Sequence, residues 1–238
     1  MVVLISGISF LGYVLIQVVG PRRGVGLTGI LGGLASSTAV TLSVAERSRD
    51  TKGLDRPFAL AVLLAWAIMY VRVIVEVGVV HPPLLTVVWA PVVGVCAASL
   101  AYCVYLYWVQ PSGEQEEPTT VRNPFRLAPA ITFGILYAVI LVVTNWVQGA
   151  SGDAGVYLSS LVAGLADVDA ITLSMAQLNE SGELEARVAT RAIIIAAAAN
   201  TVLKGGIVAF AGTKGLRRAV VPGLLLIVLA SAVAVMLV

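Results

Sequence analysis

The chain has 238 residues, of which 59% are hydrophobic and 12% charged, with a formal net charge of +2 and a mean hydropathy of +0.97. A soluble domain carries about 25% charged residues, so this composition excludes an ordinary soluble globule and makes the lipid bilayer the principal partner. The small charge, spread over scattered basic residues, leaves no footprint for a nucleic acid.

A spanning helix needs about 20 mostly apolar residues. Eight stretches meet that length: 2–20, 25–45, 57–80, 83–109, 126–148, 154–178, 187–211 and 219–238. The predicted class is therefore an all-α integral membrane protein with about eight transmembrane helices. Met1 leads straight into the first run, with no basic segment before it and no small-residue cleavage site after it, so a true span is expected rather than a signal peptide. The sequence fits the end of a longer protein equally well.

Pro21-Arg22-Arg23-Gly24 closes the first span, the charged stretch Glu46 to Arg56 the second, and His81-Pro82-Pro83 turns the chain between the third and fourth. The longest interruption, Gln110 to Pro124, holds Glu114, Glu116 and Glu117 and reads as a linker. Breaks at Ser151-Gly152-Asp153, Asn179 to Arg187 and Gly212 to Arg218 divide the remainder. Cys96 and Cys103 lie seven residues apart in an apolar run, about 10 Å of helical rise, too far for a disulfide, and are expected to be packing residues. Tyr105, Tyr107, Trp108 and Trp146 fall near span ends, where aromatic anchors sit.

One stretch recurs. GVGLTGILGGLASSTAVTLSVA, Gly24 to Ala45, returns 131 positions later as GVYLSSLVAGLADVDAITLSMA, Gly155 to Ala176, with 11 of 22 positions identical. The same spacing relates Gln17 to Gln148, Arg56 to Arg187 and Pro91 to Pro222. Two four-helix repeats are expected, 1–110 and 125–238, joined by the linker 111–124. An even number of spans per half sends both halves into the bilayer in the same direction, a parallel repeat about an axis along the membrane normal. A re-entrant hairpin at 24–45 would reverse that sense. Counting loops on this scheme puts Arg47, Arg49, Lys52, Arg56, Arg122, Arg126, Arg187 and Arg191 on the side of the termini, with Arg22, Arg23, Lys214, Arg217 and Arg218 opposite. The bias places both termini in the cytoplasm, with the protein in the cell inner (plasma) membrane.

Ionisable and amide groups at depth are rare and mark cavities or pathways. Here they are Gln17, Arg72, Glu76, Asn145, Asp167, Asp169, Asn200 and Lys204, joined by the hydroxyls of Ser36, Ser37, Thr38, Thr41, Thr172 and Ser174. The two copies of the motif differ most where Ser36, Ser37 and Thr38 face Asp167, Val168 and Asp169. On an intact helix, side chains two apart point about 200° away from each other, so Asp167 and Asp169 share a site only if the helix unwinds. Gly164 and Gly32-Gly33 make a broken second helix in each half plausible. The competing reading is structural pairing of the aspartates with Arg72 or Lys204. Glu76 lies one turn after Arg72, the spacing of an i,i+4 ion pair. Runs such as Ala196 to Ala199 and Gly205-Gly206 suit close helix packing and need no further role.

The single histidine, His81, precedes two prolines in a turn, which argues against a Ser-His-Asp hydrolase. No phosphate- or dinucleotide-binding glycine loop is present, and two aspartates on one helix do not make a facing protease dyad. No cofactor and no enzyme activity are expected.

Over LISGISFLGYVLIQVVGPRRGVGLTGILGGLASSTAVTLSVAERSR, and again at MYVRVIVE (Met69 to Glu76) and NTVLKGG (Asn200 to Gly206), the chain resembles an uncharacterised bacterial and archaeal membrane family, domain of unknown function 4010. That family commonly follows an MgtC/SapB-like domain. The MgtC-like half is absent from this sequence, so the resemblance supports the architecture more than any function, and a role inherited from that half, such as a link to magnesium limitation, is not carried over to this chain. The leading functional expectation is a transporter or channel for a small ion or solute. Its site would be lined by Ser36, Ser37, Thr38 and Thr41 on one side and Asp167, Asp169 and Thr172 on the other. Arg72, Asn200 and Lys204 would support it, and a cation or proton-coupled substrate is slightly favoured. The alternative is a non-transporting scaffold or accessory partner of an MgtC-like regulator. A homo-oligomer is compatible with either.

Overall fold

The structure, a computed structural model, describes residues 21–51, 53–109 and 152–238. The apolar stretches 2–20 and 126–148, the linker, Gln17, Asn145 and Trp146 lie outside them. The described residues form seven α-helices and no strand. These are α1 (Pro21–Asp50), α2 (Asp55–Val80), α3 (Leu85–Trp108), α4 (Gly152–Ala166), α5 (Val168–Glu180), α6 (Ala186–Ala211) and α7 (Lys214–Leu237), with a 3-10 turn at Pro82–Leu84. Five stretches are long and apolar enough to cross a membrane: Val25–Asp50, Asp55–Val80, Pro82–Trp108, Ala186–Ala211 and Lys214–Leu237. Helices are what a lipid solvent demands, because each satisfies its backbone polar groups within its own segment.

The stops are local chemistry. Gly53 (φ +80°) and Gly182 (φ +78°) take left-handed conformations that favour glycine, the first between α1 and α2, the second just past α5. Beyond α5, Glu183 N–H and Gly182 N–H donate back to the carbonyls of Leu178 (3.0 Å) and Asn179 (3.2 Å), closing the helix end. His81 precedes the 3-10 turn that Pro82 opens, as expected of that dipeptide. Cys96 and Cys103 are buried and unbridged.

Two helices are interrupted. Inside α1, Ser36 is extended (φ −166°, ψ 107°). The predicted span 154–178 is two helices, α4 and α5, separated by Asp167 (φ −156°, ψ 115°). The two breaks lie 131 residues apart, at the positions where serine and aspartate replace one another in the motif.

The chain divides into two compact units, each considered by itself. The first takes in the described residues of Met1–Met69, Ser99–Gly134 and Lys204–Leu224. Phe58, Leu63, Trp66 and Leu216 fill its interior. A Cβ at Gly33 would come within 2.8 Å of Ala65 Cα, so α1 and α2 approach backbone to backbone. The second takes in the described residues of Tyr70–Ala98, Ile135–Leu203 and Leu225–Val238. There Gly164 of α4 meets α6, where an added Cβ would lie 2.5 Å from Ala196 Cα.

Hydrogen bonds at one end of the first unit fix helix directions. Arg49 donates to Phe210 O (2.6 Å), Thr213 N–H to Ser48 Oγ (3.1 Å), Thr213 Oγ1 to Asp55 Oδ1 (2.6 Å), and Arg56 to Val109 O (3.0 Å). The end of α3 and the start of α7 therefore meet where α1 ends and α2 begins. α3 and α7, counterparts at the 131-residue spacing, run in opposite directions from that end. This corrects the expectation that corresponding helices run the same way. It also brings Lys214, Arg217 and Arg218 to the end that carries Arg47, Arg49 and Arg56, instead of opposite it. The earlier sidedness came from counting every apolar stretch as one full crossing, which these bonds do not allow.

Candidate functional site

The residues singled out in the sequence fall into two clusters, one in each unit. Asp167, Asp169, Thr172, Arg72 and Asn200 belong to the second unit; Ser36, Ser37, Thr38, Thr41 and Lys204 belong to the first.

In the second unit the cluster forms at the end of α4. With Asp167 extended, the last carbonyls of α4 lose the partners a continuous helix would supply. Asn200 of α6 replaces them: its amide donates to Gly164 O (2.9 Å) and Leu165 O (3.4 Å). On the far side of the break, Asp167 caps α5, its Oδ1 accepting from Asp169 N–H at 2.9 Å. A carboxylate is well suited there because it also meets the positive end of the helix dipole. Asp169, in the first turn of α5, pairs directly with the Arg72 guanidinium of α2. Glu76 stands on the other flank of Arg72, with Oε1 3.9 Å from Nη2.

The predicted i,i+4 pair thus exists, but at the outer limit of an ion pair, and Asp169 is the closer partner. The Arg72, Glu76 and Asp169 side chains are 26%, 20% and 29% exposed, so the cluster is partly buried rather than fully enclosed by protein. Glu76 Oε2 and the fully buried Thr172 Oγ1 accept or donate no hydrogen bond among the described residues. Also among them, no three His, Cys, Asp or Glu side chains are grouped to hold a metal ion.

In the first unit Ser36 takes the role that Asp167 has in the second, its Oγ accepting from Ala39 N–H at 3.2 Å. Ser37 and Lys204 meet: Lys204 Nζ donates to Ser37 Oγ (2.9 Å) and Met69 Sδ (3.0 Å) and lies 5.9 Å from the centre of the Trp66 ring. Lys204 is fully buried. Thr41 Oγ1 donates to Ser37 O (2.7 Å) and accepts from Trp66 Nε1 (2.9 Å). Thr38 is half-buried. Trp66 and Met69 were not among the expected residues. Both read as apolar span residues, and their polar atoms matter only because Lys204 and Thr41 reach them.

Thr172 is the counterpart of Thr41, yet its hydroxyl has no hydrogen-bond partner among the described residues. The reason is visible in the sequence: 131 positions beyond Trp66 stands Ala197, which has no donor to offer.

Residues 3–212 match the family model described as Domain of unknown function (DUF4010). An uncharacterized protein of Aquifex aeolicus (strain VF5) is 32% identical over 192 residues, covering 80% of this chain and 84% of that protein. No solved structure matches.

Proposed function

This chain belongs to the DUF4010 family, and from the charged cluster at the α4–α5 break we propose that it is a membrane transporter or channel moving a small cation or protons. The observation that carries the reading is charge. Two carboxylates, Asp169 and Glu76, flank one guanidinium, Arg72, which lies on a helix apolar enough to cross a membrane, and a third carboxylate, Asp167, caps the adjoining break. Ionised together they would leave an excess of negative charge at a depth where charge is costly. A bound cation or a proton offsets it. Discontinuous helices that expose side-chain oxygens and helix ends are a recurring device of transporters.

The paired aspartate alone would suit a purely architectural ion pair. The partial exposure of the Arg72, Glu76 and Asp169 side chains suits a site that loads and unloads.

We read the two halves as an internal duplication of opposite sense. Its support is the motif identity, the two breaks 131 residues apart, the Gly33–Ala65 and Gly164–Ala196 approaches at the same spacing, and the opposed α3 and α7. Inverted repeats are common in secondary transporters. The end that gathers Arg47, Arg49, Arg56, Lys214, Arg217 and Arg218 is assigned to the cytoplasm, which turns the end of α7 outward.

The test is flux in liposomes containing purified protein, scanned over protons and monovalent and divalent cations. The wild type should show selective flux, and Asp169→Asn and Glu76→Gln should each lower it at least tenfold while melting close to wild type. Undiminished flux in both variants would remove this site. No flux of any cation by a well-folded wild type would shift the weight to a scaffold role.

A further inference from the structure

We propose that the first unit holds a second binding site, for the phosphate of an anionic phospholipid, in the cavity between the start of α2, the end of α3 and the start of α7. The cavity has a volume of about 550 Å³ and its lining includes Arg56, Arg218, Asp55, Tyr102, Tyr105 and Leu106. That size lies within the ~300–1,000 Å³ typical of small-molecule sites.

Its chemistry favours an anion. Asp55, the one carboxylate in the lining, is already engaged: it accepts from Thr213 Oγ1 at 2.6 Å and lies against Gly215, where a side chain would collide with it. Gly215 lies in the first turn of α7, so the carboxylate also offsets that helix's positive end. The two guanidiniums remain. Arg56 gives one N–H to Val109 O (3.0 Å), with other donors left over, and Arg218 is exposed and makes no hydrogen bond or ion pair among the described residues. Arginine's planar fork suits phosphate oxygens better than a point charge does.

The rest of the lining favours an amphiphile over a free ion. Tyr102 and Tyr105 stack with ring centres 5.7 Å apart, and the Tyr102 hydroxyl is tied to Ala219 O at 2.9 Å, which holds the ring in place. Leu106, Val109 and Pro222 add apolar wall. A cationic mouth with an aromatic and aliphatic flank at the end of spanning helices matches a headgroup and its glycerol. Basic pockets between helices on the cytoplasmic side are where anionic lipids are recognised.

The experiment is native mass spectrometry of the full chain taken from mixed micelles holding equal phosphatidylglycerol and phosphatidylcholine, repeated with inorganic phosphate in excess. One basic residue near an anionic surface is worth about a fivefold preference. The wild type should retain phosphatidylglycerol over phosphatidylcholine by about that factor or more. Arg218→Gln should cut the preference about fivefold, Arg56→Gln comparably, and Arg218→Lys less. Lys214→Gln, which removes a charge at the same end but outside the lining, should change it little. Equal retention of the two lipids, an equal effect of Lys214→Gln, or full competition by millimolar inorganic phosphate would each overturn the proposal. Arg218 is exposed and makes no hydrogen bond or ion pair among the described residues, and thermal unfolding of each variant beside wild type separates a folding defect from lost lipid preference.

Discussion

Asn200 shows how much a single side chain can decide at membrane depth. It satisfies two carbonyls that the break in α4 exposes. Without water nearby, an orphaned carbonyl costs about 1–3 kcal/mol, so Asn200→Ala should lower unfolding stability by roughly that amount in detergent. Asn200→Ser, which keeps a donor but shortens the reach, should recover little. Thermal unfolding of the purified variants measures both; an Asn200→Ala protein as stable as wild type would mean the break does not depend on it. The residue itself was legible in the sequence as a polar group inside an apolar span. Its task was not, because the partner lies 36 residues away on another helix. At Asp167 the sequence offers the break, through the glycine three residues earlier, but not the capping role, which needs the extended backbone that the structure shows.

Among elements, the comparison of the two interrupted helices separates capping from charge. Ser36 and Asp167 both cap the helix that follows, so capping alone does not require a carboxylate. Asp167→Ser, which borrows the first copy's residue, should therefore keep stability within about 1 kcal/mol of wild type. Asp167→Ala should cost about 0.5–2 kcal/mol as the cap is lost. If Asp167 also belongs to the ion site, Asp167→Ser should lower flux despite its sound fold. Flux equal to wild type would confine Asp167 to capping and leave Asp169 and Glu76 as the site.

Packing makes a parallel point at Gly164. A side chain there would meet the α6 backbone at Ala196, so Gly164→Val should destabilise by about 1–3 kcal/mol through overpacking. The same change at Gly26, where a Cβ would meet nothing within 4 Å among the described residues, should be near neutral. Both glycines look alike in the sequence, and only the neighbouring helix distinguishes them.

At the scale of the whole molecule, apolar length established the class, but direction was out of its reach. Hydropathy counts crossings and cannot tell an interrupted span from a full one, so a single miscount flips every later loop to the wrong side. The two schemes separate at two positions. Eight full crossings place His81 and Lys214 on the same face, both opposite the termini. In the structure Lys214 lies at the end where α2 begins, beside Asp55, while His81 follows the other end of α2. That helix has 26 residues, about 39 Å of rise, enough to cross a bilayer. Single cysteines at His81→Cys and Lys214→Cys, in a Cys96→Ala/Cys103→Ala background, should thus be labelled by a membrane-impermeant maleimide from opposite faces. With the basic end in the cytoplasm, His81→Cys should react in intact cells and Lys214→Cys only after permeabilisation. Labelling of both from one face would restore the parallel scheme and with it a different relation between the two motif copies. Opposite faces in the reverse order would keep the helix directions and overturn only the assignment of the basic end, because helix direction follows from hydrogen bonds and sidedness from charge.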